Sequence, residues 1–211
     1  GRWLSRLHRS DEAVDAAQRA LALLPASAAT LDTIGVVFSR AGRHEQAVDC
    51  FARAVALDPE RAGLHFNHAA SLKFLGRFAE AEAAYEACVR CDPRFWRAHS
   101  ALAATRRQTP GYNHLERLER LLATGPLDAD AELHLRHALA KELEDLGRDD
   151  EARDLLARYE DDAAASWLWG RALVEYRLRP AGPAAQRALI DATEANPYVL
   201  ALFEDPDALD Q

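Results

Sequence analysis

AATLDTIGVVFSRAGRHEQAVDCFARAVALDPER, residues 28–61, is followed by AGLHFNHAASLKFLGRFAEAEAAYEACVRCDPRF, residues 62–95, and the second repeats the pattern of the first at an offset of 34 residues. Ala47 and Ala81, Phe51 and Tyr85, Gly42 and Gly76, and the pairs Asp58-Pro59 and Asp92-Pro93 fall in register. A period of this length signals stacked helical hairpins: a helix of about four turns, a turn at the glycine, a second helix and a proline-marked exit. Hydrophobic periodicity is helical along the chain, which predicts an all-α, right-handed solenoid without strands.

Working outward, the register predicts hairpins over about 1–27, 28–61, 62–95, 96–128, 129–163 and 164–198. They form one superhelical domain, 1–203, with an acidic tail over 204–211. The second helix of the first hairpin is expected from Asp11 to Leu23, with Ala13, Ala17 and Ala20 on one face. Because the chain has no methionine and begins at Gly1 inside that hairpin, we expect a processed or excised piece of a longer protein. Thr109-Pro110-Gly111 predicts the turn of the fourth hairpin, and Glu119 stands there where an aromatic belongs. Val199 to Phe203 is apolar enough to cover the end of the stack, and fraying is expected beyond it.

Leu31, Ile34, Gly35, Phe38, Ala47, Phe51, Ala54 and Pro59 resemble the signature of the tetratricopeptide repeat. Small residues let two helices approach closely, and Phe38 and Phe51 fill the groove between hairpins. The next unit keeps Ala69, Leu72, Ala81, Tyr85 and Pro93 but places His65 and His68 at bulky apolar positions. About 96–160, including Arg106-Arg107-Gln108-Thr109-Pro110, Ala138 to Lys141 and Leu146-Gly147-Arg148, is similar to the repeat region of bacterial tetratricopeptide-sulfotransferase fusions. That second resemblance implies an alternative function: an accessory region that positions protein substrates for an enzyme.

Composition narrows the partners. A net charge of -8 argues against a nonspecific nucleic-acid binder, and no apolar run approaches membrane-spanning length. Three cysteines do not make a disulfide framework, which points to a reducing cytoplasm. The sequence contains no phosphate-binding glycine loop, His-Glu-x-x-His or Gly-x-Ser-x-Gly, so the chain reads as noncatalytic, with no cofactor expected. Cys88-Val-Arg-Cys91 lacks the second pair that zinc needs, and Cys88 falls at a small packing position. The pairs His65/His68 and His134/His137 share helix faces but have no carboxylate at matching spacing. Packing or surface roles are the default for them, and no metal is expected.

The resemblance implies a ligand on the concave face made by the first helix of each hairpin. Carried over by register, that face holds Arg40, Phe66, Asn67, Lys73, Arg97, Arg107, Gln108, His134, His137, Lys141, Trp167 and Arg171. With Arg2, Arg6 and Arg177 it carries nine basic residues against three acidic ones, Asp32, Glu144 and Asp145. Such a face suits an acidic peptide or protein segment, although an arginine-rich composition would also scatter guanidinium groups over every solvated surface. The lysine, asparagine and arginine clamp of chaperone-binding relatives is mostly absent, with Asn67 and Arg97 its matching positions. Oligomeric state is left open.

Overall fold

Gly42 and Gly76 set the geometry of the repeat. Their φ angles are 71° and 72°, in the left-handed region where a side chain is strained. Each closes a helix in the same way. Gly42 N–H donates to Ser39 O at 3.0 Å and Arg43 N–H to Phe38 O at 2.8 Å, while Gly76 donates to Lys73 O and Arg77 to Leu72 O, both at 3.0 Å. These paired bonds satisfy the last carbonyls of the helix and turn the chain back on itself. Gly147, φ 69°, repeats the arrangement, with Arg148 N–H on Leu143 O.

The structure is a computed structural model that describes residues 2–23, 27–157, 165–180 and 182–195, with side chains described for 11–23, 27–157, 168–180 and 182–195. Among these residues the chain is helical, and the sole β feature is an isolated bridge between Thr109 and Tyr112. It divides into two compact units, 1–106 and 107–211. Unit 1 holds α1 (Arg2–Ala22), α2 (Ala28–Arg40), α3 (His44–Leu57), α4 (Ala62–Phe74), α5 (Phe78–Cys91) and α6 (Trp96–Ala103). Unit 2 holds α7 (Leu115–Ala123), α8 (Ala129–Asp145), α9 (Asp149–Ala157), α10 (Ala165–Leu178) and α11 (Pro183–Ala195). The division falls inside the expected fourth hairpin.

Within unit 1, α2 packs on α3, α3 on α4 and α4 on α5, so consecutive hairpins stack. Ala47, Ala54, Ala69, Ala81 and Cys88 are fully buried, which lets neighbouring helices approach. Phe38, Phe51 and Tyr85 fill the remaining space at 1–3% exposure. Burial pushes the Tyr85 hydroxyl and the Cys88 thiol each up to about 12, so Cys88 is a packing residue and an inert thiol.

Two local expectations are corrected. The first hairpin has no turn: Arg2–Ala22 is one helix, because the register position of Gly42 is His8 and no glycine interrupts the run. The first helix of the fourth hairpin stops at Ala103, well short of Thr109. Tail residues 204–211 and the apolar run 199–203 lie outside the described residues.

Candidate functional site

The first helices of the unit 1 hairpins are α2, α4 and α6, and side chains on them meet across the repeat. Asn67 Nδ2 on α4 donates to Asp32 Oδ1 on α2 at 2.8 Å. Phe66 packs against Tyr85 and Phe95, with ring centroids 5.6 and 5.1 Å apart, and the Arg97 guanidinium of α6 lies 5.2 Å from the Phe66 ring centroid. That is cation–π range, and it holds Arg97 beside α4. Lys73 Nζ donates to Ala104 O at 3.0 Å, and burial holds its ammonium below the usual lysine value. Arg40, at the end of α2, is exposed and has no ion-pair partner among the described residues.

His65, which interrupts the apolar pattern, has a structural explanation that its repeat equivalent His99 shares. His65 Nε2–H donates to Pro59 O at 2.7 Å, and His99 Nε2–H donates to Pro93 O at 3.0 Å, the same contact one repeat later. A carbonyl can only accept, so this ring nitrogen carries the proton. Each histidine therefore ties its helix to the preceding exit loop. Cys91 Sγ also reaches Pro59 O, at 3.5 Å. His68 is held below its ordinary value, first by burial and then by the charges of His65 and Arg77. No group of three His, Cys, Asp or Glu among the described residues is placed to hold a metal ion.

In unit 2 several of the predicted residues have partners within the fold. Arg107 and Gln108 lie in an irregular strap ahead of α7 and not on a helix. Arg107 is exposed, but Gln108 is 2% exposed and its backbone N–H donates to Asp145 Oδ2 at 2.9 Å, so it cannot face a ligand groove. His134 lies 3.6 Å from Asp130, and Lys141 pairs with Asp145, each within one helical turn. His137 is half-buried. Arg171 points to the second helix of its hairpin, where it pairs with Asp191 at 2.6 Å. The side chains of Trp167, Arg2 and Arg6 lie outside the described residues.

Sequence reasoning missed the polar anchor of the strap. Glu142 is fully buried, and its carboxylate accepts from His114 N–H and from His114 Nδ1–H, both at 2.6 Å. The signal was present in the sequence: Ala131, Leu135, Ala138 and Glu142 form one helical stripe, so a carboxylate interrupts a core face and requires a partner. Nearby, the Glu144 carboxyl fills the notch above Gly170, where a Cβ would lie 2.5 Å from Oε1. Burial raises its pKa to about 7, against the opposing charges of Lys141 and Arg177 and with small additions from Asp145 and Asp149. Arg177 Nη1 donates to Glu144 O at 2.9 Å.

The family model of the tetratricopeptide repeat matches residues 1–62 and 33–93. Among solved structures, the chain is similar to YrrB, described as a tetratricopeptide repeat protein with an unusual peptide-binding site. The identity is 18% and the TM-score 0.57, covering 92% of this chain and 99% of that one. It is also similar to the C-terminal part of a repeat-containing protein from Cytophaga hutchinsonii, at 12% identity and TM-score 0.64 over 92% and 77% of the two chains. A third, from Parabacteroides merdae ATCC 43184, shares 17% identity with TM-score 0.62 over 94% and 73%. At these identities the likeness is one of fold. No curated protein matches the chain.

Proposed function

We propose that this chain, which has the fold of tetratricopeptide repeat proteins and matches the repeat model over residues 1–93, is a noncatalytic interaction module whose unit 1 holds an acidic peptide or protein segment on the face of α2, α4 and α6. The observation that carries the reading is the charge balance on that face. Arg40, Lys73 and Arg97 lie on three successive first helices, and Asp32, the acidic residue the register assigns there, is already engaged by Asn67. Arg97 and Lys73 are held in place by Phe66 and by the Ala104 carbonyl, so they lose little freedom on binding. Phe66 and Asn67 supply shape and an amide edge. A peptide-binding site is a property of YrrB, and the same fold here agrees with a peptide ligand. Free cysteines at 50, 88 and 91 fit a reducing compartment such as the cytoplasm. His134 and Lys141 lie in unit 2, where each pairs with a carboxylate of its own helix, and the reading does not rest on them.

Fluorescence anisotropy with a labelled Glu/Asp-rich peptide and the full chain tests this reading. Single exposed ion pairs contribute about 0.2–1 kcal/mol, so the double reversal Arg40→Glu with Arg97→Glu should weaken binding roughly tenfold and flatten its salt dependence. Arg53→Glu, on the second helix α3, should change it little. Equal loss from both variants would refute the groove.

A further inference from the structure

The repeat leaves a groove between consecutive second helices, floored by the first helix that separates them, and among the described residues each unit shows an example. In unit 1 it has a volume of about 740 Å³ and is lined by Gln18 and Leu21 of α1, Phe38 of α2, and Gln46, Asp49 and Cys50 of α3, among others. In unit 2 it is about 310 Å³, lined by Arg153 of α9, Arg171 and Glu175 of α10, and Ala184, Arg187 and Asp191 of α11. The two linings correspond by register. At the register positions where unit 2 has Arg153, Arg171 and Arg187, unit 1 has Val14, Thr33 and Asp49. Packing therefore does not demand arginine at these positions, since the same fold is built in unit 1 with neutral or acidic residues there.

We propose that the unit 2 cleft binds a phosphate monoester. Three guanidinium groups from three helices converge on a space large enough for a phosphate and its ester group. Two of them are already held: Arg171 by Asp191 at 2.6 Å, and Arg153 by Asp150 at 2.9 Å and Asp154 at 3.6 Å. Arg187 is exposed and has no ion-pair partner among the described residues, so it is available as the first contact. Guanidinium forks match the oxygens of a phosphate in bidentate geometry. Glu175 and Asp191 also line the cleft, and a singly charged carboxylate ligand gains little against them. A dianion gains twice the attraction to the arginines, and α11 begins beside it at Pro183–Ala184 with its positive dipole end. The ester carrier is a small molecule or a phosphorylated side chain of a protein. The cleft is separate from the peptide face of unit 1, so either assignment can fail alone.

Calorimetric titration of the full chain with O-phospho-L-serine, with a short phosphoserine peptide and with the same peptide unphosphorylated tests the proposal. Both phosphorylated ligands should bind saturably and the unphosphorylated peptide should not. Tighter binding of the peptide assigns the site to a phosphorylated protein, and equal binding assigns it to a small molecule. Arg187→Glu should weaken binding at least about tenfold with the circular dichroism unchanged, as expected for loss of one charge-assisted contact. Asp191→Asn should tighten it by releasing Arg171, a change that a purely structural role for the pair would not produce. Absence of saturable binding, or affinity unaltered by Arg187→Glu, overturns the proposal.

Discussion

At Gly35 the repeat depends on the absence of a side chain: a Cβ there would lie 2.6 Å from Phe51 Cε1. Phe51 is 1% exposed and cannot retreat, so α2 and α3 would be forced apart. Gly35→Ala should cost about 1–3 kcal/mol, the usual penalty for overpacking a core. Gly63, on α4, has nothing within 4 Å of its virtual Cβ, so Gly63→Ala should instead gain up to about 1 kcal/mol from helix propensity. Urea midpoints moving in opposite directions would confirm the contrast, and a neutral Gly35→Ala would contradict it. Much of the residue scale was legible in the sequence. Gly42, Gly76, Ala47 and Ala81 announce a positive φ or a close approach by being small at a fixed period. The meaning of His65 and His99 was not legible, because the carbonyl that each one serves belongs to a loop outside its helix.

At the scale of the element, local pattern failed where long-range partners decide the boundary. The fourth hairpin's first helix was expected to run to Thr109, but the chain leaves it at Ala103. The carbonyl of Ala104 is then taken by Lys73, 31 residues away, and Arg106 pairs with Glu82 at 3.0 Å. The strap before α7 is fixed by Glu142 and Asp145 of α8, again partners that no local window contains. The same helix carries a pH-dependent contact. Glu144, raised from 4.5 to about 7 by burial against α10, binds its proton more tightly in the folded state. Stability is therefore greatest below pH 4.5 with respect to this group and declines as pH rises towards 7, a total of at most about 3 kcal/mol. Glu144→Gln should stabilise unit 2 at pH 8 and have little effect at pH 4.5, read as melting temperature across the pH range. Equal effects at both pH values would rule out a buried, titrating carboxyl.

For the whole molecule, the sequence predicted one superhelical domain with a degenerate fourth hairpin, and the chain clusters into two compact units that meet at 106/107, within that hairpin. The periodic signal is clean over 28–95 because each repeat there must satisfy the same neighbours. It weakens downstream as polar anchors such as Glu142 and His114 take over from small and aromatic packing residues. Arg40, Phe66, Asn67, Lys73 and Arg97 lie on the first helices of unit 1, whereas Gln108 is buried and Arg171 turns towards α11. Among the described residues no helix is long and apolar enough to cross a membrane. The central claim is that an acidic segment is held by the first helices of unit 1. Its most direct test is a nitrogen-15 amide titration of the chain with a Glu/Asp-rich peptide. Shift changes should concentrate on α2, α4 and α6 around Arg40, Asn67 and Arg97 and spare Arg53 and Arg90 on α3 and α5. Changes concentrated on α3 and α5, or no saturable change, would contradict the account.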